Sequence, residues 1–155
     1  MAVTPIPPGY ASVTPYLIIR GAAKAIEFYQ RAFGAVELFR LEGPDGKIAH
    51  AEIKIGNSPV MLADGMSDYP DPLTLGGTAV SFMVYVPDVD AAFARAIAAG
   101  ATVKRPVADQ FYGDRTGTLA DPFGHVWSLG THVEDVLPAE MERRMKEMMK
   151  PAAGA

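Results

Sequence analysis

The chain is predicted to be an α+β protein of two tandem βαβββ modules followed by a C-terminal helix. Three observations predict it. The order strand, helix, strand, strand, strand occurs twice along the 155 residues. A single shift of 67 residues aligns both ends of the two copies: Leu17 falls on Val84, Ile19 on Val86 and Ala25 on Ala92, while Val60 falls on Trp127 and Leu62 on Leu129. The stretch Thr118 to Leu129 reads as a hairpin, with Pro122 presetting the turn and Gly124 supplying a permissive backbone just after it. Alternation along its second strand puts Trp127 and Leu129 on one side and Val126, Ser128 and Gly130 on the other. A four-stranded sheet with one covered face is poorly stable alone, so the two modules should join around a shared interior.

In order, residues 1–11 are Pro-rich and expected to form an extended, loosely held arm. Val13 to Ile19 reads as a strand, with Leu17 and Ile19 on one face and Thr14, Tyr16 and Ile18 on the other. Ala22 to Phe33 carries Ala22, Ala25, Ile26, Tyr29 and Phe33 at spacings of three and four, a helix that Gly34 ends. Strands follow at about 35–43, 47–55 and 59–64, joined by Pro44-Asp45-Gly46 and by Gly56-Asn57-Ser58-Pro59. Asp64 to Gly77 has no periodicity and reads as a linker or lid. The pattern then restarts: a strand from Ala79 to Val86, a helix from Val89 to Ala99 stopped by Gly100, a strand from Ala101 to about Ala108, a loop from Asp109 to Asp114, and the hairpin. Pro138 to Lys150 is a Met-rich amphipathic helix with Met141, Met145 and Met148 at helical spacing. The expected organisation is an arm at 1–11, a first module at 12–64, a linker at 65–77, a second module at 78–133 and a helical tail at 134–155.

A composition of 49% hydrophobic and 21% charged residues is that of an ordinary globular protein. A net charge of -4 argues against nucleic acid, which needs a basic face. No apolar run approaches the ~18 residues that a membrane span requires, and the first ten residues lack the basic start and apolar core of a secretory signal. Zero cysteines exclude disulfides and thiolate chemistry, and a cytoplasmic location is expected.

Tyr16-Leu17-Ile18-Ile19, leading into Ala25-Ile26-Glu27-Phe28-Tyr29 and Phe33-Gly34, resembles the opening of the vicinal oxygen chelate superfamily. That superfamily includes glyoxalase I, extradiol dioxygenases, fosfomycin-resistance enzymes and bleomycin-resistance proteins. Val86-Pro87-Asp88-Val89-Asp90-Ala91-Ala92 and Asp121-Pro122-Phe123-Gly124-His125 are similar to the matching signals of its second module. His50-Ala51-Glu52, Phe111-Tyr112-Gly113-Asp114-Arg115 and Thr131-His132-Val133-Glu134-Asp135-Val136 are similar to its PhnB-like branch. The resemblance implies paired βαβββ modules forming an open, cup-shaped mixed sheet, usually in dimers. Metal-dependent members carry His, Glu, His and Glu on the innermost strands; these positions fall here on Thr14, Met61, Ser81 and Ser128. Hydroxyls and a thioether cannot offset the lost hydration of a divalent cation, so no metal and no other cofactor is expected.

His50 and Glu52, two apart on one strand, share a face. They read either as a relocated metal pair or general base, or as the solvated side of a strand whose Ala51, Ile53 and Ile55 face the helices. Arg115 reads as a bidentate clamp for an acidic ligand, or as a structural partner of Asp109 or Asp114. Tyr16, Met61, Met83 and Phe111 read as pocket walls or as core, with Tyr112, Ser81 and Ser128 completing the expected ligand-binding set. His125 reads as a packing residue. No catalytic residue is assigned. The leading expectation is a metal-independent small-molecule binder, similar to the bleomycin-resistance proteins, that takes an apolar or acidic ligand and forms a homodimer. The alternatives are a metal-dependent lyase, isomerase or dioxygenase using His50 and Glu52, and an interaction module using the tail helix.

Overall fold

The computed structural model describes residues 2–154. Its elements run β1 (Tyr16–Ile19), α1 (Ala22–Phe33), β2 (Val36–Glu42), β3 (Ile48–Ile55), β4 (Ser58–Asp64), α2 (Pro72–Leu75), β5 (Ser81–Tyr85), α3 (Val89–Ala99), β6 (Thr102–Asp109), β7 (Asp114–Ala120), β8 (Val126–His132) and α4 (Pro138–Met148). This is the expected α+β architecture of two tandem βαβββ modules and a C-terminal helix. The short α2 lies inside the segment read as a linker; Asp71 caps it by accepting from the Thr74 N–H at 3.1 Å, and Pro72 occupies its first turn.

Each module makes its own four-stranded sheet, ordered β1-β4-β3-β2 and β5-β8-β7-β6. The first strand of each lies parallel to the last, and the remaining pairs are antiparallel. The repeat is written into the register. Tyr16 pairs with Met61 in the first sheet and Met83 with Ser128 in the second, so an offset of 67 residues carries one pair onto the other.

Helix α1 starts at Gly21 without a side-chain cap of its own. Asp64 supplies one from the end of β4, its Oδ1 accepting from the Gly21 and Ala22 N–H groups at 2.9 and 3.1 Å. The helix stops at Gly34, whose φ of 66° is a left-handed conformation that glycine adopts without strain.

Helices α1 and α3 pack on each other between the sheets. Leu17, Ile19, Ile53 and Leu62 from the first sheet and Leu119, Trp127 and Leu129 from the second close on them in one continuous core. Trp127 ties the modules together: its ring lies 5.3 Å from Tyr29, 4.8 Å from Phe33 and 4.8 Å from Phe82. Beside it, buried Asp121 accepts from Tyr29 Oη at 2.6 Å, Trp127 Nε1 at 2.9 Å, and the Phe123 and His125 N–H groups at 2.9 Å each. Four donors satisfy the charge that burial would otherwise penalise. Burial, and then Asp121 itself, pushes the Tyr29 hydroxyl well above its ordinary pKa. His125, also buried, lies 3.0 Å through Nε2 from the Ile18 carbonyl and is a packing residue across the joint. Since both sheets turn their apolar faces to the helices, their other faces lie on the outside of the molecule.

Candidate functional site

The outer face of the first sheet borders a cavity of about 860 Å³. Its apolar wall includes Ile18 on β1, Ile48 and Ala49 on β3, Ala63 on β4, and Met66 and Tyr69 just beyond, where a tight turn pairs the latter two. Tyr16 is a further wall residue, 47% exposed. The charged lining groups are Asp45, Lys47 and Asp64. Asp64 is already committed: besides capping α1, it accepts from the Ile48 N–H at 2.7 Å. Mostly apolar walls with a few polar groups make a surface suited to a small molecule.

Alongside the cavity runs a line of four polar side chains. Tyr10, in the N-terminal arm, donates from its hydroxyl to Glu52 Oε2. Glu52 Oε1 lies 3.1 Å from His50 Nε2, and His50 Nδ1 lies 2.9 Å from Tyr16 Oη. Strand alternation brings His50 and Glu52 to one face of β3, and the neighbouring strands bring Tyr16, Met61, Phe39 and Leu41 to the same face. The Phe39 ring flanks the imidazole at 6.4 Å. The Tyr10 bond, then the His50 bond, holds Glu52 below the usual carboxylate range. Its bond to Glu52 pushes Tyr10 up to about 12, and burial, then the charge of Glu52, raises Tyr16.

Of the residues expected from sequence, Tyr16, His50, Glu52 and Met61 come together here. Ser81, Met83 and Ser128 share the outer face of the second sheet, where Ser128 Oγ lies 2.8 Å from Thr118 Oγ1. Phe111 and Tyr112 lie between β6 and β7, packed edge to face at 5.3 Å, and the Phe111 carbonyl accepts from Arg144 of the tail helix at 3.2 Å. Arg115 grips Asp90 with two donors at 2.9 and 3.0 Å and Asp109 with a third at 3.2 Å. These carboxylates, Asp90 first, raise its pKa further. The bond to Asp90, on the first turn of α3, joins positions far apart in sequence. Asp114 instead accepts from Tyr85 at 2.7 Å and contacts His132 Nδ1 at 2.7 Å. Tyr10 belongs to no expected set, and no local signal marks it: its partner lies 42 residues away.

The donors present do not fit the family's metal. Thr14, Met61, Ser81 and Ser128 offer no charge and no imidazole, and they are divided between the outer faces of two sheets and the segment before β1. Both nitrogens of His50 and both oxygens of Glu52 already have partners. Among the described residues, no group of three or more His, Cys, Asp or Glu is arranged to hold an ion.

The sequence profile of the Glyoxalase/Bleomycin resistance protein/Dioxygenase superfamily matches residues 11–129. The uncharacterized protein Mb0911c of Mycobacterium bovis is 48% identical over 142 residues, covering 86% of this chain and 91% of its own. Among solved structures, TioX from Micromonospora sp. ML1 is similar with a TM-score of 0.63 at 28% identity, over 82% of this chain and 100% of that one. The PhnB protein of Bacillus cereus shares the fold with a TM-score of 0.61 at 20% identity, over 78% of this chain and 99% of its own. The chain belongs to the Glyoxalase/Bleomycin resistance protein/Dioxygenase superfamily.

Proposed function

We propose that this protein is a metal-independent small-molecule binder whose site is the cavity on the outer face of the first sheet. The observation that carries the reading is that cavity: about 860 Å³, walled mainly by aliphatic and aromatic groups, beside an ordered polar line. Cavities of this size accommodate drug-sized ligands. The donor chemistry at Thr14, Met61, Ser81 and Ser128 supports independence from metal. With Arg115 held by two aspartates, an apolar ligand suits the cavity better than a strongly acidic one.

The molecule acts as a homodimer. Phe39 and Leu41 on the first outer face and Met83 and Tyr85 on the second are exposed, as is most of the apolar stripe of α4, and a second copy would cover them.

The test is a thermal-shift screen of uncharged aromatic compounds against the full chain and Ala49→Trp, which puts a large ring into the cavity from an exposed position. Binders should raise the melting temperature of the parent and not of the variant. Equal shifts in both would move the site elsewhere. Dialysis against zinc, nickel, manganese or ferrous ion should leave well under one equivalent per chain; stoichiometric retention lost in His50→Ala would favour a metal-dependent enzyme.

A further inference from the structure

The polar line beside the cavity differs from the one other of its kind among the described residues. In the second module, Tyr85, Asp114, His132 and Asp135 form a similar line, but both ring nitrogens of His132 face carboxylates at 2.7 Å. Only the doubly protonated ring satisfies both. His50 faces one carboxylate, Glu52, and one hydroxyl, that of Tyr16. Either protonation state of His50 completes its hydrogen bonds. When neutral, it donates from Nε2 to Glu52 and accepts at Nδ1 from the Tyr16 hydroxyl. When protonated, it donates from Nδ1 to the Tyr16 oxygen, and the Tyr16 proton is free for another acceptor. A proton added to His50 thus turns Tyr16, a wall of the cavity, from donor to His50 into acceptor from it, and releases the hydroxyl proton for a ligand.

We infer that Tyr16, His50 and Glu52 form a metal-free proton-transfer site, and that the cavity takes an aromatic ligand with one weakly acidic hydroxyl and holds it as the phenolate. The inference rests on the cavity being the binding site. In the step, the ligand O–H bond breaks and its proton passes to Tyr16 Oη as the Tyr16 proton passes to His50 Nδ1. One N–H bond forms, Glu52 stays ionised, and no electrons or further reactants are exchanged. The phenolate then accepts from Tyr16, and the imidazolium lies against Glu52.

Two features select this ligand class. Ile18, Ile48, Ala63, Met66 and Tyr69 offer a planar ring an apolar wall. The charged lining groups are Asp45 and Asp64 against Lys47, with Glu52 behind His50 and Tyr16, so a ligand arriving as an anion meets net negative surroundings. A neutral phenol enters without that cost, and charge separates only once it is inside. The groups facing His50 are Glu52 on its own strand, Tyr16 on β1 and Phe39 on β2, with Tyr10 behind Glu52. Both tyrosines resist ionisation, Tyr10 through its bond to Glu52 and Tyr16 chiefly through burial, so neither loses its proton in the ligand's place.

The probes are 4-nitrophenol, whose ionisation is visible as colour, and its methyl ether 4-nitroanisole, which has no proton to give. At a pH where free 4-nitrophenol is mostly colourless, the full-length protein should bind it saturably as the yellow anion. The 15N signals of the His50 ring should move to those of imidazolium, a readout that needs no variant. At equal occupancy, His50→Gln and Tyr16→Phe should each reduce the anion band by about tenfold or more, the population change of one pKa unit. If 4-nitroanisole binds but bound 4-nitrophenol keeps the spectrum of the neutral phenol, the proton-transfer site is refuted while the cavity stands. Anion bands unchanged in the variants, or a neutral His50 in the loaded protein, refute it equally. If neither compound binds, the ligand class is refuted.

Discussion

The two outer faces of this molecule share one backbone plan and carry different chemistry. Pairing Tyr16 with Met61 and Met83 with Ser128 uses the same register, so at these innermost strand pairs the modules match in backbone and differ in side chains. On the first face, an 860 Å³ cavity lies beside a histidine with one carboxylate neighbour. On the second, the histidine is held between two carboxylates at the end of the strands, and Ser128 spends its hydroxyl on Thr118. The difference teaches that a duplicated scaffold leaves each copy free to specialise, because the shared core is built from the opposite side of each strand.

Several experiments press on this contrast, and the largest expected effect concerns the core that the modules share. Trp127→Ala should cost about 3–5 kcal/mol, the usual range for removing a large buried aromatic. Because Trp127 touches Tyr29 and Phe33 of the first module, urea unfolding should remain one transition with both halves destabilised. Loss of the second module alone, in a separate transition, would show that the halves are independent.

Assembly comes next. Deleting residues 138–155 removes Met141, Met145 and Met148 and the Arg144 bonds to Glu134, with little loss of core, since α4 has no buried residue. Light scattering across a dilution series should find a dimer for the full chain and a weaker one for the truncation. A monomer at micromolar concentration refutes the dimer; an undiminished truncated dimer refutes the role of the tail.

The third effect is smaller and specific to the second face. His132 is raised by Asp135 and then by Asp114, so its folded pKa exceeds the unfolded value of about 6.5. Its contribution to stability is full below that value and is lost as pH rises through the raised folded pKa. Urea midpoints between about pH 5 and about pH 8 should therefore fall more steeply for the parent than for His132→Gln. Equal slopes would mean that the line does not hold a charged ring.

Much of the fold is legible in the sequence because its signals are local. Helices α1 and α3 span the residues expected of them, each bounded by a glycine stop. β1 is shorter than expected, beginning at Tyr16: Pro15 has no N–H, although its carbonyl still accepts from Met61 at 2.9 Å. Asp71-Pro72 is a readable helix start that the surrounding glycines and prolines obscure. The site is less legible. Alternation places His50 and Glu52 on one face, but neither Tyr10 reaching Glu52 nor Asp90 claiming Arg115 has a local signature. The cavity wall joins strand positions to the turn at Met66 and Tyr69, which carries no periodic signal.

The most direct test of the central claim is amide chemical-shift mapping with 4-nitroanisole on the full-length chain. Binding in the first-module cavity predicts perturbations at Tyr16, Ile18, Ile48, Ala49 and the 63–69 segment, with β5 and β8 unmoved. Perturbations centred on Ser81, Met83 and Ser128 would contradict it and assign the ligand site to the second face.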